Sequence, residues 1–218
     1  MECMYEICQM RILLIAATET EIEPFITENK GVEVLITGVG VPSTLYHLQK
    51  KLLQKDTDLV IQAGIAGTFN ESFGLGEVVL VKQDTFADLG MEEKEKFTTI
   101  FQAGFADKDA FPFNDGWLFN SNTILTRSTL LSVKAITINK ISDSLIKRQQ
   151  AISSFSPQIE SMEGAALHYV ALQEQIPFLQ IRSISNLIGE RDKSKWKLKE
   201  SITNLNVELH KLVDMLLS

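Results

Sequence analysis

Two carboxylates and an arginine stand where an α/β chain can present chemistry. Glu21 lies in Ala17-Thr18-Glu19-Thr20-Glu21-Ile22-Glu23, directly after the apolar run Ile12–Ala16. A carboxylate at a strand end can accept a proton from water. The same segment also reads as a helix start, because Thr18 with Glu21, or Thr20 with Glu23, has capping-box spacing. If Thr20 and Glu23 make the cap, Glu21 is free to face a site. Glu163 lies in Glu160-Ser161-Met162-Glu163-Gly164-Ala165-Ala166. The helix dipole favours an acid in a first turn, and such a carboxylate can also accept hydrogen bonds from two vicinal hydroxyls, as a ribose presents. Gly164 costs a helix about 1 kcal/mol relative to Ala, which points to close approach there. Arg182, in Ile181-Arg182-Ser183-Ile184-Ser185-Asn186, sits near the end of an apolar strand. Buried, it needs a carboxylate partner, with Glu21 and Glu163 the candidates; otherwise it snorkels to the surface.

Two glycine segments lie between strand-like and helix-like stretches. Gly38-Val39-Gly40-Val41-Pro42-Ser43 allows close backbone approach to a ligand or simply a tight turn. It lacks the third glycine of a dinucleotide fingerprint, with Thr44 near that place. Gln62-Ala63-Gly64-Ile65-Ala66-Gly67-Thr68 puts small residues after a buried strand, leaving room for a ligand or for a closely packed loop.

Apolar runs alternate with helix-period segments. Ile12–Ala16, Val32–Ile36, Leu59–Gln62, Val78–Val81, Val133–Ile138 and Phe178–Ile184 read as strands, several apolar on both faces. Glu21–Glu28, Ser43–Gln54, Asp143–Ser153, Met162–Gln173 and Leu198–Leu217 read as helices. The pattern predicts a largely parallel or mixed sheet with helices on both sides, and ligands in such sheets bind beyond the carboxyl ends of the strands. No linker divides the chain, so residues 10–218 are expected to form one domain preceded by an extension over residues 1–9. The charged, Phe-rich stretch from Asp84 to Gly116 reads as a loop or lid.

With a net charge of −7 and no dense Lys/Arg cluster, a nucleic-acid partner is not expected. No apolar run reaches the roughly 18 residues that span a bilayer, and the start lacks signal-peptide character. Cys3 and Cys8 have no distant partner, which suits a reducing cytoplasm. His47, His168 and His210 are scattered on helical segments and read as surface or packing residues. No metal or other cofactor is implied.

Taken together, Ser161-Met162-Glu163-Gly164-Ala165-Ala166 and Arg182-Ser183-Ile184-Ser185-Asn186 resemble the nucleoside phosphorylase/nucleosidase superfamily, in its nucleosidase branch. The resemblance covers residues 10–218. It implies a three-layer α/β sandwich, a central mixed sheet with helices on both faces, in a homodimer. It also implies roles: Glu21 activates water, Arg182 stands beside that water, Met162 and Glu163 hold the ribose, Gly64 and Ile65 border the substrate, and Asn186 meets the purine. The methylthioadenosine/S-adenosylhomocysteine nucleosidases have Asp where this chain has Asn186, and Ser where it has Ile65. An Asn cannot relay a proton to N7, but its amide can donate to O6 or N7 of a 6-oxopurine. The run Ser185-Asn186-Leu187-Ile188-Gly189-Glu190-Arg191-Asp192 with Trp196 is similar to the futalosine hydrolases. That likeness implies release of hypoxanthine from futalosine, in menaquinone biosynthesis. The phosphorylases carry a Gly-Asp-Pro-x-Arg start and a second Arg. Ala16-Ala17-Thr18-Glu19 and Gln62 stand at those places, which favours water as the nucleophile. The rival readings are a methylthioadenosine/S-adenosylhomocysteine nucleosidase, a phosphorylase, and a silent nucleoside-binding sensor.

Overall fold

The structure is a computed structural model that describes residues 10–28 and 31–218. The expected extension over residues 1–9, with Cys3 and Cys8, lies outside the described residues.

The strands follow the apolar runs. β1 (Ile12–Ala16) is buried at every position, and its alternate side chains feed two cores. Ile12, Leu14 and Ala16 pack with Ile22 and Phe25 of α1 (Glu19–Thr27) and with Leu205 and Leu209 near the C-terminus. Leu13 and Ile15 point the other way, into a cluster with Leu48, Leu52, Leu167 and Val170. Full burial of one such side chain contributes roughly 1.5–3 kcal/mol. Helical residues therefore meet both sets of β1 side chains.

β2 (Glu33–Ile36), α2 (Val41–Leu52), β3 (Leu59–Thr68) and β4 (Val78–Asp84) follow. β5 (Gly90–Glu93) and β6 (Lys96–Thr99) form a separate antiparallel hairpin. Then come β7 (Leu118–Phe119), β8 (Leu131–Thr137), α3 (Leu145–Phe155), β9 (Ile159–Ser161), α4 (Gly164–Gln173), β10 (Phe178–Leu187) and α5 (Leu198–Leu217). The main sheet has 8 strands in mixed orientation. Its order is β2-β1-β3-β10-β4-β8-β9, β7 adds to the end of β4, and β9 returns to pair with β3. Strands β3, β10, β4, β8 and β9 thus close on themselves, which leaves no free edge on that side.

The differences from the sequence reading have physical causes. The small residues Gly64 to Thr68 are not a loop but the second half of β3, paired with β10 and then β9. Arg182 is therefore mid-strand, since β10 runs on to Leu187. Helix α4 starts at Gly164 rather than Met162, because β9 takes the residues up to Ser161. Within the stretch from Asp84 to Gly116, Asp84 is a fully buried strand end and the rest holds the hairpin and turns. Phe101 packs on Phe113 and Phe113 on Tyr169, at centroid distances of 5.1 and 6.0 Å.

One contact fixes the helix that carries Glu21. Pro24 lies inside α1 and has no N–H to donate. At the next residue the side chain of Asn206, on α5, inserts into the helix ladder. Its Oδ1 accepts from Phe25 N at 3.0 Å, while its Nδ2 donates to the Glu21 carbonyl at 2.9 Å. Asn206 is buried. Replacement Asn206→Leu strands both backbone groups and should cost about 1–3 kcal/mol. Chemical denaturation reads this directly, and an unchanged midpoint would show that α1 closes its own ladder.

Candidate active site

A cavity of about 380 Å³ opens beyond the carboxyl ends of β1, β3 and β10, in the size range of small-molecule sites. Its wall includes Glu21, Ile65, Met162, Glu163 and Asn186, with Val39 and Trp196. The sequence candidates Arg182 and Gly64 are not on that wall but directly beneath it.

Glu21 is fixed by the cap expected to compete with its function. Thr18, not Thr20, caps α1, and the Glu21 carboxylate reaches back to it: Thr18 N and Thr18 Oγ1 both donate to Oε2, at 3.1 Å. The other oxygen, Oε1, accepts from Ile65 N at 3.1 Å. A carboxylate offers roughly four lone-pair positions, so Oε1 keeps one for a water in the cavity. Capping and site lining are the same geometry here.

Arg182 is 1% exposed. It crosses β3 where Gly64 has no side chain, for the two residues are register partners. A Cβ on Gly64 would collide with Arg182 Nη1 and lie 2.9 Å from Glu21 Oε1. Gly64 thus makes room for the guanidinium rather than for a ligand. Arg182 Nη2 donates to Gln62 Oε1 at 2.8 Å, and Nη1 stands 3.8 Å from Glu163 Oε2. The carboxylate partner expected for a buried Arg is Glu163, with Glu21 close by.

Glu163 precedes the first residue of α4 and is 5% exposed. Its Oε1 accepts from Gly40 N at 3.0 Å. Gly40 adopts φ +89°, open to glycine at no steric cost, which explains the Gly38–Ser43 segment as a turn that aims one N–H at this acid. Burial pushes the Glu163 pKa up, opposed by Arg182 and the Gly40 N–H and reinforced by the charge of Glu21.

Asn186 is oriented by its neighbour. Ser185 Oγ donates to its Oδ1 at 2.8 Å, so the amide nitrogen is the end left for a ligand, and one of its hydrogens goes to the Leu187 carbonyl at 3.0 Å. Met162 and Ile65 complete the wall with apolar side chains.

Beneath this layer lies a polar brace that the sequence reading did not single out. Asp84, His168 and Gln180 are all fully buried. The Gln180 carboxamide takes the orientation its neighbours require. Its nitrogen donates to His168 Nε2 at 2.9 Å and to Asp84 Oδ2 at 3.3 Å, and its oxygen accepts from Arg182 Nε at 3.2 Å. His168 Nδ1 lies 3.0 Å from the Leu118 carbonyl, to which it donates in the neutral tautomer. Asp84 Oδ1 accepts from Thr137 Oγ1 at 2.9 Å, and Thr137 Oγ1 accepts from Ala165 N at 2.7 Å, in the first turn of α4. One carboxylate therefore braces both Arg182 and the helix start behind Glu163. Burial raises Asp84 to about 7 and lowers His168 to about 4. The available signal was a polar residue at alternate positions of an apolar strand: Gln180 and Arg182 in β10, with Gln62 opposite Gln180.

Gly164 explains itself at this brace. A Cβ there would collide with Asp84 Oδ2 and the Gln180 carboxamide. Gly164→Ala should gain helix propensity and still destabilise by about 1–3 kcal/mol through overpacking. A variant as stable as the parent in thermal unfolding would show that the brace can move aside.

Comparison with known proteins places the chain in a family. The model of the family described as "Phosphorylase superfamily" matches residues 18–218. A futalosine hydrolase of Streptomyces coelicolor is 28% identical over 198 residues, covering 85% of this chain and 80% of the relative. That of Thermus thermophilus is 26% identical over 187 residues, covering 84% and 81%. Among solved structures, a Helicobacter pylori methylthioadenosine nucleosidase variant superimposes with a TM-score of 0.79 at 17% identity, covering 94% of this chain and 99% of that one. The chain belongs to the phosphorylase superfamily.

Proposed function

We propose that the chain is an N-glycosyl hydrolase that cleaves futalosine, releasing hypoxanthine and dehypoxanthine futalosine, a step of menaquinone biosynthesis. The observation that carries this reading is the Asn186 amide on the cavity wall: its oxygen is held by Ser185 and one amide hydrogen by the Leu187 carbonyl, which leaves the other as a donor to O6 or N7 of a 6-oxopurine. The names of the Streptomyces and Thermus relatives support it.

In this mechanism Glu21 takes a proton from a water at its open Oε1 position as the water oxygen bonds to C1′ of the ribose, and the base leaves with the electron pair of the C–N bond and takes a proton from solvent. Arg182, beneath Gly64, helps to position that water. Glu163 accepts from the ribose hydroxyls and stabilises positive charge as the glycosidic bond breaks. Met162 packs against the sugar, Ile65 borders it, and Asn186 stabilises the departing base. Water is favoured over phosphate by electrostatics. Among the described residues the wall carries Glu21, Glu160, Glu163 and Glu190, the last paired with Lys195 at 2.7 Å, against Arg191 as its one cation.

We read residues 10–218 as one unit with three layers, α1 and α5 on one face of the sheet and α2 and α4 on the other, working in the cytoplasm. We also read it as a homodimer. Tyr46 of α2 and Leu53 just after it are exposed, at 62% and 66%, beside a groove lined by Pro42, Leu45 and Tyr169, an apolar surface of the kind that marks an interface. The double change Tyr46→Asp with Leu53→Asp should halve the mass in sedimentation equilibrium; an unchanged mass places the contact elsewhere.

The decisive assay incubates the protein with futalosine, methylthioadenosine and inosine, with and without phosphate. Hypoxanthine should appear from futalosine at a rate independent of phosphate. Adenine from methylthioadenosine alone, or a phosphate requirement, would overturn the reading. Glu21→Gln should lower kcat by about 10²- to 10⁴-fold, and near-normal turnover would remove Glu21 from the chemistry.

A further inference from the structure

The mechanism leaves one acid of the cavity wall idle. Glu160 stands in the middle of β9 and lines this cavity and an adjoining one of about 320 Å³. No described residue donates a hydrogen bond to its carboxylate or forms an ion pair with it. The cations of the adjoining cavity do not serve it: Lys147 pairs with Glu92 at 3.1 Å, Arg148 Nη2 donates to the Phe69 carbonyl at 3.0 Å, and Lys140 is exposed. Burial, with the charge of Asp88, raises the Glu160 pKa to about 7, as expected of an acid that lacks a donor.

The sheet register says what it faces. Glu160 pairs with Gly67 across β9 and β3, and Gly67 pairs with Asn186 across β3 and β10, just past a bulge in β10 between Ile184 and Asn186. Residues directly opposite one another share a face of the sheet. Glu160 and Asn186 therefore flank a residue without a side chain, two strand spacings or about 10 Å apart. A Cβ on Gly67 would lie 3.3 Å from Asn186 Nδ2 and 2.9 Å from Ile188 Cγ1, so the amide does lean over this glycine. The result is a floor topped by the Ile188 side chain, with a hydrogen-bond donor on one side and an acceptor on the other.

A 6-oxopurine matches that floor. Its N7 and O6 are acceptors, and the next position on the ring, N1–H, is a donor. In a 6-aminopurine the order is reversed: the amino group donates and N1 is an acceptor, which the ionised form of Glu160 opposes. We propose that Glu160 is a specificity-determining residue that accepts the N1–H of a 6-oxopurine base while Asn186 donates to N7 or O6. The inference rests on the hydrolase reading above and adds the residue that rejects the 6-amino base. Asn186 separates the two bases only through O6, because its donor also suits the N7 that both share.

The test compares parent and Glu160→Gln, a near-isosteric change whose amide can either donate or accept. The kcat/KM for futalosine and for its 6-amino counterpart is measured, with thermal unfolding to check the fold. The variant should lose about 10- to 100-fold on the 6-oxo substrate with little loss on the 6-amino one, so the preference collapses. Equal losses on both, or an unchanged ratio, would overturn the assignment. Binding of free hypoxanthine and adenine by titration calorimetry decides the matter independently of turnover. Preference for hypoxanthine in the parent and its loss in the variant supports Glu160 even if neither nucleoside is cleaved. A parent without that preference, or a variant that keeps it, refutes it.

Discussion

A guanidinium at 1% exposure lies under the candidate site, and much of the surrounding structure follows from the need to keep it there. Desolvating such a charge costs several kcal/mol unless opposite charge and directed acceptors surround it. Arg182 has both. Gln62 and Gln180 accept from its N–H groups, Glu163 stands 3.8 Å away, and Asp84 acts on it through Gln180. Each partner brings its own constraint. Gly64 must lack a side chain so the guanidinium can lie over β3, and Gly164 must lack one so Asp84 and Gln180 can meet. His168 gains a role as well, since its Nε2 accepts the second hydrogen of the Gln180 amide.

The closed part of the sheet brings these groups together from distant stretches of chain. β3 is the shared strand. It takes β1 along its first half, β9 at its last two residues, and β10 along most of its length. Register then decides the neighbours: Gln180 beside Gln62, Arg182 beside Gly64, Asn186 beside Gly67. A slip of one residue would turn every one of these side chains to the opposite face. Helix starts supply the remaining acids. α1 brings Glu21 through its cap, and the residue before α4 is Glu163, held by the N–H of Gly40.

Much of this was legible in the sequence because apolar runs and short motifs are local. The core of every strand expected from an apolar run is present, and so is the body of each expected helix. Local signals also placed Glu21, Met162, Glu163 and Asn186 on one cavity wall. What could not be read was register. The glycine-rich end of β3 looked like a loop because glycine disfavours strands, and only its pairing with β9 and β10 holds it extended. The resemblance put Gly64 beside the substrate, and only the register shows that Arg182 lies against it. Asp84 was hidden at the edge of a charged stretch, and its meaning depends on Thr137 and Gln180, 53 and 96 residues further along the chain. β9 is 3 residues long, too short for any periodicity to show.

The sign of the field in the cavity bears on which reaction this version of the fold favours. Unit charges 4 Å apart interact by about 4 kcal/mol at an effective dielectric of 20. A phosphate dianion placed beside Glu21 and Glu163 would meet repulsion of that order from each, with Arg182 already engaged beneath Gly64. A sugar developing oxocarbenium character in the same place would gain attraction of the same size. A neutral water pays neither cost, and Glu21 still has a lone pair for it. The arrangement that keeps a cation buried under two carboxylates therefore also selects the nucleophile. It leaves the acids exposed to the substrate and the positive charge below the floor, where it steadies Glu163 without offering an anion a place to bind.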